Sequence, residues 1–220
     1  MSPTHSFNRT LLGMDTHDRI LERASEMAAT CGLDGVTIGR LAEALEMSKS
    51  GVFAHFASKE ALQIEVVDRM WSKLQDLSGY ETFPGEGLMS LCAMVTRWLS
   101  IVGDSDGALL ATSIRELDSL EEQVRDLILT HSKEWSRLLE DEIRAGIAKG
   151  HFKRRVHPIE FVFEIHALVH QGALGLNLYD RGIAREWAAH HLRKAFLRVS
   201  TPSGRKLLAR LSRDFWCWWL

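Results

Sequence analysis

Residues 48–62, with the sequence SKSGVFAHFASKEAL, combine three serines, a glycine, a histidine and two lysines with two phenylalanines. Ser48 and Ser58 are of the residue type that favours the N-cap of a helix, so two helix starts follow each other closely. The free amides at a helix start, together with Lys49 and Lys59, attract phosphate oxygens. Two helix starts of this kind at a tight turn predict contact with a nucleic-acid backbone, and a unit of such short helices has too little area for a catalytic cleft.

His166 and His170 are a second pair of residues whose spacing suits a chemical role. Two histidines at i and i+4 lie on one face of a helix, as in two-histidine metal sites. The sequence lacks the glutamate that follows the first histidine in the metalloprotease pattern, although His131, Glu164 and Gln171 are candidates to complete a site. The alternative is a histidine pair that faces a ligand or packs in the core, and in that case no metal is bound.

Helical periodicity governs the elements that position these residues, and no alternation of apolar and polar residues predicts a strand. The pattern predicts a first helix over Thr16–Cys31, and Thr37 is the N-cap of a second helix. The apolar residues of this second helix repeat at i, i+3, i+4 and i+7 and form one face: Ile38, Leu41, Ala42 and Leu45. With the short helix after Ser48 and the long helix after Ser58, the arrangement is a helix-turn-helix braced by a first helix.

The remainder of the chain has the pattern of longer helices, so the predicted fold is all-α. The predicted helices are 88–102, 108–117, 119–149, 158–179, 183–199 and a last helix with the aromatic tail DFWCWWL. Ser119 and Glu122 have the spacing of a capping box, which predicts where the third of these helices starts. We predict two domains, a helix-turn-helix domain over residues 1–60 and a larger helical domain over residues 61–220.

Residues 37–62, TIGRLAEALEMSKSGVFAHFASKEAL, resemble the DNA-binding domain of tetracycline-repressor-type (TetR family) transcriptional regulators. The family pattern has a threonine that opens the second helix, an apolar residue with alanine, and a serine that opens the reading helix. An aromatic residue, any residue, His and Phe follow, and then a Lys-Glu pair. The corresponding residues are Thr37, Leu41, Ala42, Ser48, Phe53, His55, Phe56, Lys59 and Glu60. The resemblance covers residues 16–70, and beyond them only the all-helical layout resembles the family.

The resemblance implies a set of DNA contacts in the first domain. The residues that it places on phosphates are Thr37, Ser48, His55 and Lys59. The residues that it allows to reach base edges are Arg40, Lys49, Ser50 and Gly51. Phe53 stands where the family usually has tyrosine, so the packing is kept and a hydroxyl bond to phosphate is lost. Glu46 stands where glycine is usual, and with a positive φ there it costs about 1 kcal/mol and places a negative charge near DNA.

The family layout further implies a homodimer that binds double-stranded operator DNA, with a small-molecule effector in the C-terminal domain. The candidate effector contacts are Trp98, His131, Trp135, His166 and His170. The candidate dimer-interface residues, on two late helices that would pair with those of a second subunit, are Gly172, Gly175, Leu176, Trp187 and His191. The two glycines also suit the close approach of a neighbouring helix. We expect a repressor that is not an enzyme and needs no cofactor.

Composition bears on the alternatives to this interpretation. The net charge is −2, and residues 1–60 hold six Lys/Arg against eight Asp/Glu, so DNA binding must depend on where the charges lie. Three widely separated cysteines argue against a disulfide framework, and no apolar run is long enough to span a bilayer. We expect a cytoplasmic protein with no membrane partner. Two alternatives stay open: a helical adaptor whose head no longer binds DNA, and a metal-dependent helical enzyme that uses His166 and His170.

Overall fold

The computed structural model describes residues 15–75, 87–102 and 117–214, and this part of the chain is all-α. The α-helices are α1 (Thr16–Cys31), α2 (Ile38–Ala44), α3 (Lys49–Phe53), α4 (Lys59–Gln75), α5 (Leu88–Val102), α6 (Glu122–Ala148), α7 (Pro158–Leu178), α8 (Arg181–Val199) and α9 (Pro202–Asp214), with a short 3-10 helix at Leu117–Ser119. Within these residues, β-type pairing is limited to one bridge between Phe152 and Ser200. No described helix is long and apolar enough to cross a membrane.

Helices α1 to α3 and most of α4 share one hydrophobic core, and we call this unit the head. Four of its fully buried residues are Ile20, Ala24, Leu41 and Val52. Helix α1 packs on α4, and α2 packs on α3. The same core includes Val124 and Ile128 from the start of α6 and Leu120, two residues before that helix begins. The head is therefore joined to the larger domain by packing against α6 as well as by the continuous helix α4.

The end of α4 and helices α5 to α9 enclose a second core that is rich in aromatic side chains. Helices α7 and α8 pack along each other in this domain. They approach closely at Gly172 and Gly175, which have no side chain. A Cβ added to Gly172 would lie only 2.8 Å from the Cβ of Ala188, and a Cβ added to Gly175 would lie only 3.2 Å from the Cβ of Ala184. Both glycines are buried in this way within one subunit. The structure thus places both glycines against α8 of the same subunit, and their contact with a second subunit remains a prediction.

Most of the predicted helices appear with small differences at their ends. The helices predicted over Thr16–Cys31 and Leu88–Val102 have the observed bounds. The helix predicted over 158–179 ends one residue later than α7, and the helix predicted over 183–199 begins two residues later than α8. The capping box at Ser119 is wrong, because α6 begins at Glu122 with Glu121 as its N-cap, and Ser119 belongs to the preceding 3-10 helix. Residues 108–116 of the helix predicted over 108–117 lie outside the described residues, and so does the tail 215–220.

Candidate nucleic-acid interface and effector cavity

Helix α3 and the residues that follow it have an exposed polar side and a side that is buried in the core of the head. Its N-cap Ser48 accepts a hydrogen bond at Oγ from the amide of Gly51 at 3.0 Å, which fixes the first turn. Val52 is fully buried and Phe56 is 1% exposed, so both hold this segment on the core of the head. Four exposed side chains surround the anchor: Lys49, Ser50, Phe53 and His55. Packing occupies only the inner side of the helix, and its polar side faces outward.

The turn between α2 and α3 contains Glu46, which has a φ of 54° and is the one non-glycine residue with a positive φ in the described chain. The amide of Met47 donates to the carbonyl of Ala42 at 2.9 Å, so the turn closes back onto α2. A residue with a Cβ is strained in this region of φ, whereas glycine is not. The condition under which Glu46 was predicted to be costly, a positive φ, is therefore met, and its side chain is exposed in the turn before the reading helix.

The predicted hydroxyl caps are present at the starts of the helices that flank α3. Thr37 Oγ1 accepts from the amide of Arg40 at 3.3 Å at the start of α2. Ser58 Oγ accepts from the amide of Ala61 at 3.0 Å at the start of α4. The prediction of capping is therefore confirmed for both residues. Contact of Thr37 with a phosphate remains a prediction.

Two basic residues that were predicted to contact DNA are held by the protein itself. Lys59 Nζ lies 2.7 Å from Asp34 Oδ1. Arg40 Nη1 donates to the carbonyl of Gly35 at 2.7 Å and lies 3.3 Å from Cys31 Sγ. Arg40 is thus folded back onto the loop after α1, and its contact with a base edge remains a prediction. Lys59 must leave its ion pair to bind a phosphate.

A row of aromatic rings connects α1 to the end of α3. The ring of His17 stacks on Phe56 at 4.6 Å and meets the ring of His55 at 6.2 Å. His17 Nε2 also lies 3.0 Å from a carboxylate oxygen of Glu65 on α4. Phe53, which replaces the tyrosine usual in the family, is 50% exposed. Sequence reasoning did not single out His17, whose only signal is its position near the start of an amphipathic helix.

A cavity of about 70 Å³ lies between α4, α5, α6 and α7 in the larger domain. All five candidate effector contacts line it: Trp98, His131, Trp135, His166 and His170. The other described lining residues are mainly apolar: Val67, Met70, Trp71, Leu74, Ile128 and Ser132. The fold therefore brings together residues that the sequence indicated only by their type. Their contact with a ligand remains a prediction.

Three indole rings form the aromatic wall of the cavity. Trp135 lies T-shaped to Trp71 at 6.1 Å and to Trp98 at 5.8 Å. Trp98 also meets the rings of His166 at 4.7 Å and His170 at 5.6 Å in T-shaped geometry. Trp98 and Trp135 are each 3% exposed, and their Nε1 atoms have no hydrogen-bond partner in the described part of the chain. Two buried N–H donors thus belong to cavity-lining side chains.

The two histidines of α7 are uncharged at neutral pH. His166 Nε2 lies 3.2 Å from Ser136 Oγ on α6. Burial, and secondarily the neighbouring His170, lowers the pKa of His166 from 6.5 to about 4. Burial also lowers the pKa of His170. Since both imidazoles are neutral, they provide no positive charge to this side of the cavity.

His131 connects the cavity to the helix that enters the head. Its Nε2 lies 3.0 Å from Asp68 Oδ1 on α4, and its ring stacks on Trp71 of the same helix at 4.6 Å. Its Nδ1 is buried and has no hydrogen-bond partner among the described residues. Helix α4 begins at Lys59 inside the head. Sequence reasoning missed Asp68, because its partner His131 is 63 residues away on α6 and no local pattern connects the two.

A metal site at the histidine pair finds no support in the described residues, where no group of three His, Cys, Asp or Glu side chains is arranged to hold an ion. The rings of His166 and His170 are 5.7 Å apart. Of the candidates to complete a site, His131 is bonded to a carboxylate of α4 and Glu164 to the guanidinium of Arg198. The pair is therefore part of the cavity wall.

The outer surfaces of α7 and α8 carry exposed apolar side chains, which we call the α7–α8 stripe: Ile159, Phe163, Leu174, Leu178, Ile183 and Trp187. Phe163 is 75% exposed and Trp187 is 52% exposed. Among the predicted interface residues, Trp187 and His191 are exposed on α8, and Leu176 is half-buried. Large apolar side chains that are exposed along two neighbouring helices are typical of an interaction site.

The exposed helix α3, the braced head and the larger helical domain together define a helix-turn-helix DNA-binding transcriptional regulator. Comparison with family models agrees, since residues 20–66 match the model "Bacterial regulatory proteins, tetR family". Residues 87–192 match the model "Tetracyclin repressor-like, C-terminal domain". The chain belongs to the TetR family of transcriptional regulators. Proteins of this family are DNA-binding regulators and not enzymes.

Individual relatives are similar over parts of the chain. The HTH-type transcriptional repressor AcnR of Corynebacterium jeikeium is 35% identical over 66 residues, which are 30% of this chain and 35% of that protein. The HTH-type transcriptional repressor KstR2 of Mycolicibacterium smegmatis is 26% identical over 145 residues, 62% of this chain and 67% of that protein. A TetR-family regulator from Agrobacterium tumefaciens has a similar structure, with a TM-score of 0.74 at 19% identity over 84% of this chain and 97% of that one. This last likeness shows the fold.

Proposed function

We propose that the protein binds double-stranded operator DNA as a homodimer and that a small molecule in the cavity changes its affinity for the operator. The observation that supports this most directly is helix α3, which Ser48 caps and Val52 anchors while its polar side is exposed. The major groove of B-DNA is wide enough to admit such a helix. Lys49, Ser50 and Gly51 are the residues that we assign to base edges.

The phosphate contacts in this proposal lie on both sides of α3. Thr37, Ser48, His55 and Lys59 are assigned to them, because helix starts and nearby cations attract anionic oxygens. Lys59 exchanges its carboxylate partner for a phosphate on binding. Arg40 is left out of the base contacts, since its guanidinium is bonded to the loop after α1.

A homodimer supplies two reading helices for successive major grooves, which are about 34–36 Å apart. The α7–α8 stripe supports a second copy of the chain as its partner. Phe163 and Trp187 are large apolar side chains at its surface, and their burial between two subunits removes apolar area from water. A two-fold axis lets the same surface serve both subunits.

The effector is proposed to act through α4. Four residues of this helix line the cavity, namely Val67, Met70, Trp71 and Leu74, and the same helix begins inside the head. A ligand that prefers one position of this wall shifts the position of the head by its differential affinity for the two states. The relatives AcnR and KstR2 are named as repressors, and we propose repression here, exerted on the chromosome in the cytoplasm.

Fluorescence anisotropy with labelled duplexes that tile the DNA upstream of the protein's own gene tests the proposal. We expect one duplex to bind more tightly than its shuffled counterpart. Between about 50 and 200 mM salt its affinity should fall by orders of magnitude, because bound phosphates release counterions. Absence of both sequence preference and salt dependence, in protein that circular dichroism shows to be folded, would contradict the proposal and favour the adaptor alternative.

A further inference from the structure

We propose that the effector is an uncharged, mainly apolar molecule with a hydrogen-bond acceptor such as a carbonyl oxygen, which the indole Nε1–H groups of Trp98 and Trp135 bind. This inference rests on the proposed function, because it concerns the ligand of the same cavity. Three properties of the described lining lead to it: the absence of ionic side chains, the two buried donors and the occupied faces of the aromatic rings.

The first property is charge. None of the described lining residues is Asp, Glu, Lys or Arg, and the described lining side chain that is bonded to a carboxylate is His131, whose Nε2 lies 3.0 Å from Asp68 Oδ1. His166 and His170 are neutral because burial lowers the pKa of both, so they give no counter-charge to an anion. An ion in an apolar site without a partner of opposite charge is strongly unfavourable. Anions and cations both incur this cost, whereas a neutral ligand does not.

The second property is the pair of indole donors. An indole nitrogen donates one hydrogen bond and cannot accept one. Trp98 and Trp135 are each 3% exposed, and neither Nε1 finds an acceptor within the described chain. Buried donors without a partner are uncommon in folded proteins because they are costly. An acceptor atom on the ligand satisfies them, while Val67, Met70 and Ile128 contact its hydrocarbon part.

The third property separates a neutral ligand from a cation in an aromatic cage. A cation binds over the open face of an aromatic ring. The ring of His131 stacks on Trp71 with an interplanar angle of 15°, and Trp135 meets Trp71 and Trp98 at 83° and 82°. These contacts cover ring faces with other rings. The cavity therefore offers N–H donors and hydrocarbon, and part of its aromatic surface is engaged by ring–ring contacts.

Four probes of one shape test the proposal on the full-length protein: cyclohexanone, methylenecyclohexane, cyclohexylammonium and cyclohexanecarboxylate. Nitrogen-edited NMR of the indole N–H groups is the readout, with signals assigned from Trp98→Phe and Trp135→Phe. We expect cyclohexanone to shift both signals downfield in a saturable way. Methylenecyclohexane, which lacks only the acceptor, should bind without these downfield shifts. The two ions should bind at least about tenfold more weakly than the ketone.

The variants give the quantitative test. Trp98→Phe and Trp135→Phe each remove one donor and keep an aromatic ring, so each should weaken cyclohexanone binding about 3- to 10-fold, the effect of one hydrogen bond. Both should leave methylenecyclohexane binding close to that of the wild type. Phe196→Leu, a buried aromatic position of α8 that is not among the described lining residues of the cavity, is the control and should change neither affinity.

Three results would overturn the inference: tighter binding of either ion than of the ketone, equal effects of the variants on ketone and hydrocarbon, or no binding of any probe at its solubility limit. Anisotropy with the promoter duplex, measured on the same protein samples, keeps the two proposals apart. Loss of duplex recognition with intact ketone binding contradicts only the proposed function. Intact duplex recognition without ketone binding contradicts only the assignment of the effector class.

Discussion

Lys59, the first residue of α4, is paired with Asp34 of the loop after α1, with Nζ and Oδ1 2.7 Å apart. Both side chains are largely in contact with water, being 41% and 55% exposed. On the proposed operator complex, a phosphate competes with the Asp34 carboxylate for the same ammonium group. The carboxylate therefore reduces the affinity of the head for DNA, and its removal should reveal whether Lys59 contacts the backbone.

The substitution Asp34→Asn removes this competition with little change in shape. We expect operator affinity at low salt to rise about two- to fivefold, the equivalent of an exposed ion pair worth up to about 1 kcal/mol. Stability in urea should change by less than about 0.5 kcal/mol. Asp141→Asn, an exposed change in the middle of α6, is the control. Unchanged affinity in Asp34→Asn would remove Lys59 from the proposed phosphate contacts.

Lys49 is the exposed cation of the reading helix. We expect Lys49→Ala to weaken operator binding about tenfold at low salt and, if the contact is to a phosphate, to reduce the slope of log K against log salt by about one. Lys206→Ala, at an exposed position of α9, removes the same charge far from the head in sequence and should have no effect. Anisotropy titrations at several salt concentrations measure both. Equal behaviour of the two variants would argue against α3 as the reading helix.

Glu46 combines a strained backbone with an unfavourable charge, and two substitutions separate these effects. Glu46→Gly relieves the positive φ of 54° and should raise the free energy of unfolding by about 1 kcal/mol. Glu46→Gln keeps the strain and removes only the charge, so it should leave stability unchanged. Both should raise operator affinity. Equal urea midpoints for the wild type and Glu46→Gly would show that the turn isn't strained.

The head could be predicted well because its signals are local in sequence. Hydroxyl caps such as Thr37 and Ser48 bond to amides three residues onward, and apolar spacing within one helix shows which side is buried. The bond from Lys59 to Asp34 spans 25 residues, and its existence depends on how the loop after α1 packs beside α4. Spacing along the chain contains no such information, so the ion pair of Lys59 could not be predicted from the sequence.

The larger domain shows the same limit. Residue type alone selected five side chains that line one cavity, because aromatic rings and histidines on apolar helix faces converge in the core. Gly172 indicated the close approach of a helix, but only the structure identifies that helix as α8 of the same subunit. The failed capping box at Ser119 has a similar cause, since the chain forms a 3-10 turn there before α6 starts. Local signals compete with tertiary packing at such points.

Phe163 tests the proposed dimer, because it is the most exposed large apolar residue of the α7–α8 stripe at 75%. We expect Phe163→Glu to place an unpaired charge in the interface and convert the dimer to a monomer in size-exclusion chromatography with light scattering. Operator affinity should fall more than about tenfold, since one reading helix is lost from each complex. Thr130→Glu adds the same charge at an exposed position of α6 and should leave the dimer intact. A wild-type mass that already equals one chain would contradict the proposal.

The buried histidine pair predicts how stability changes with pH. Burial lowers the pKa of His166 from 6.5 to about 4, so between these values the unfolded chain binds more protons than the folded one. The free energy of unfolding therefore falls as pH falls from 6.5 toward 4, and its full value is present above pH 6.5. For His166 alone the loss amounts to about 3 kcal/mol, and His170 adds to it with the same sign.

Urea denaturation at a series of pH values measures this loss. His166→Asn, which has no titrating group, should flatten the pH dependence, whatever its effect on stability at neutral pH. His191→Asn is the matched control, since its side chain is exposed on α8, and it should retain the wild-type slope. A slope that is the same in His166→Asn and in the wild type would show that burial does not lower the pKa of His166 in the folded protein.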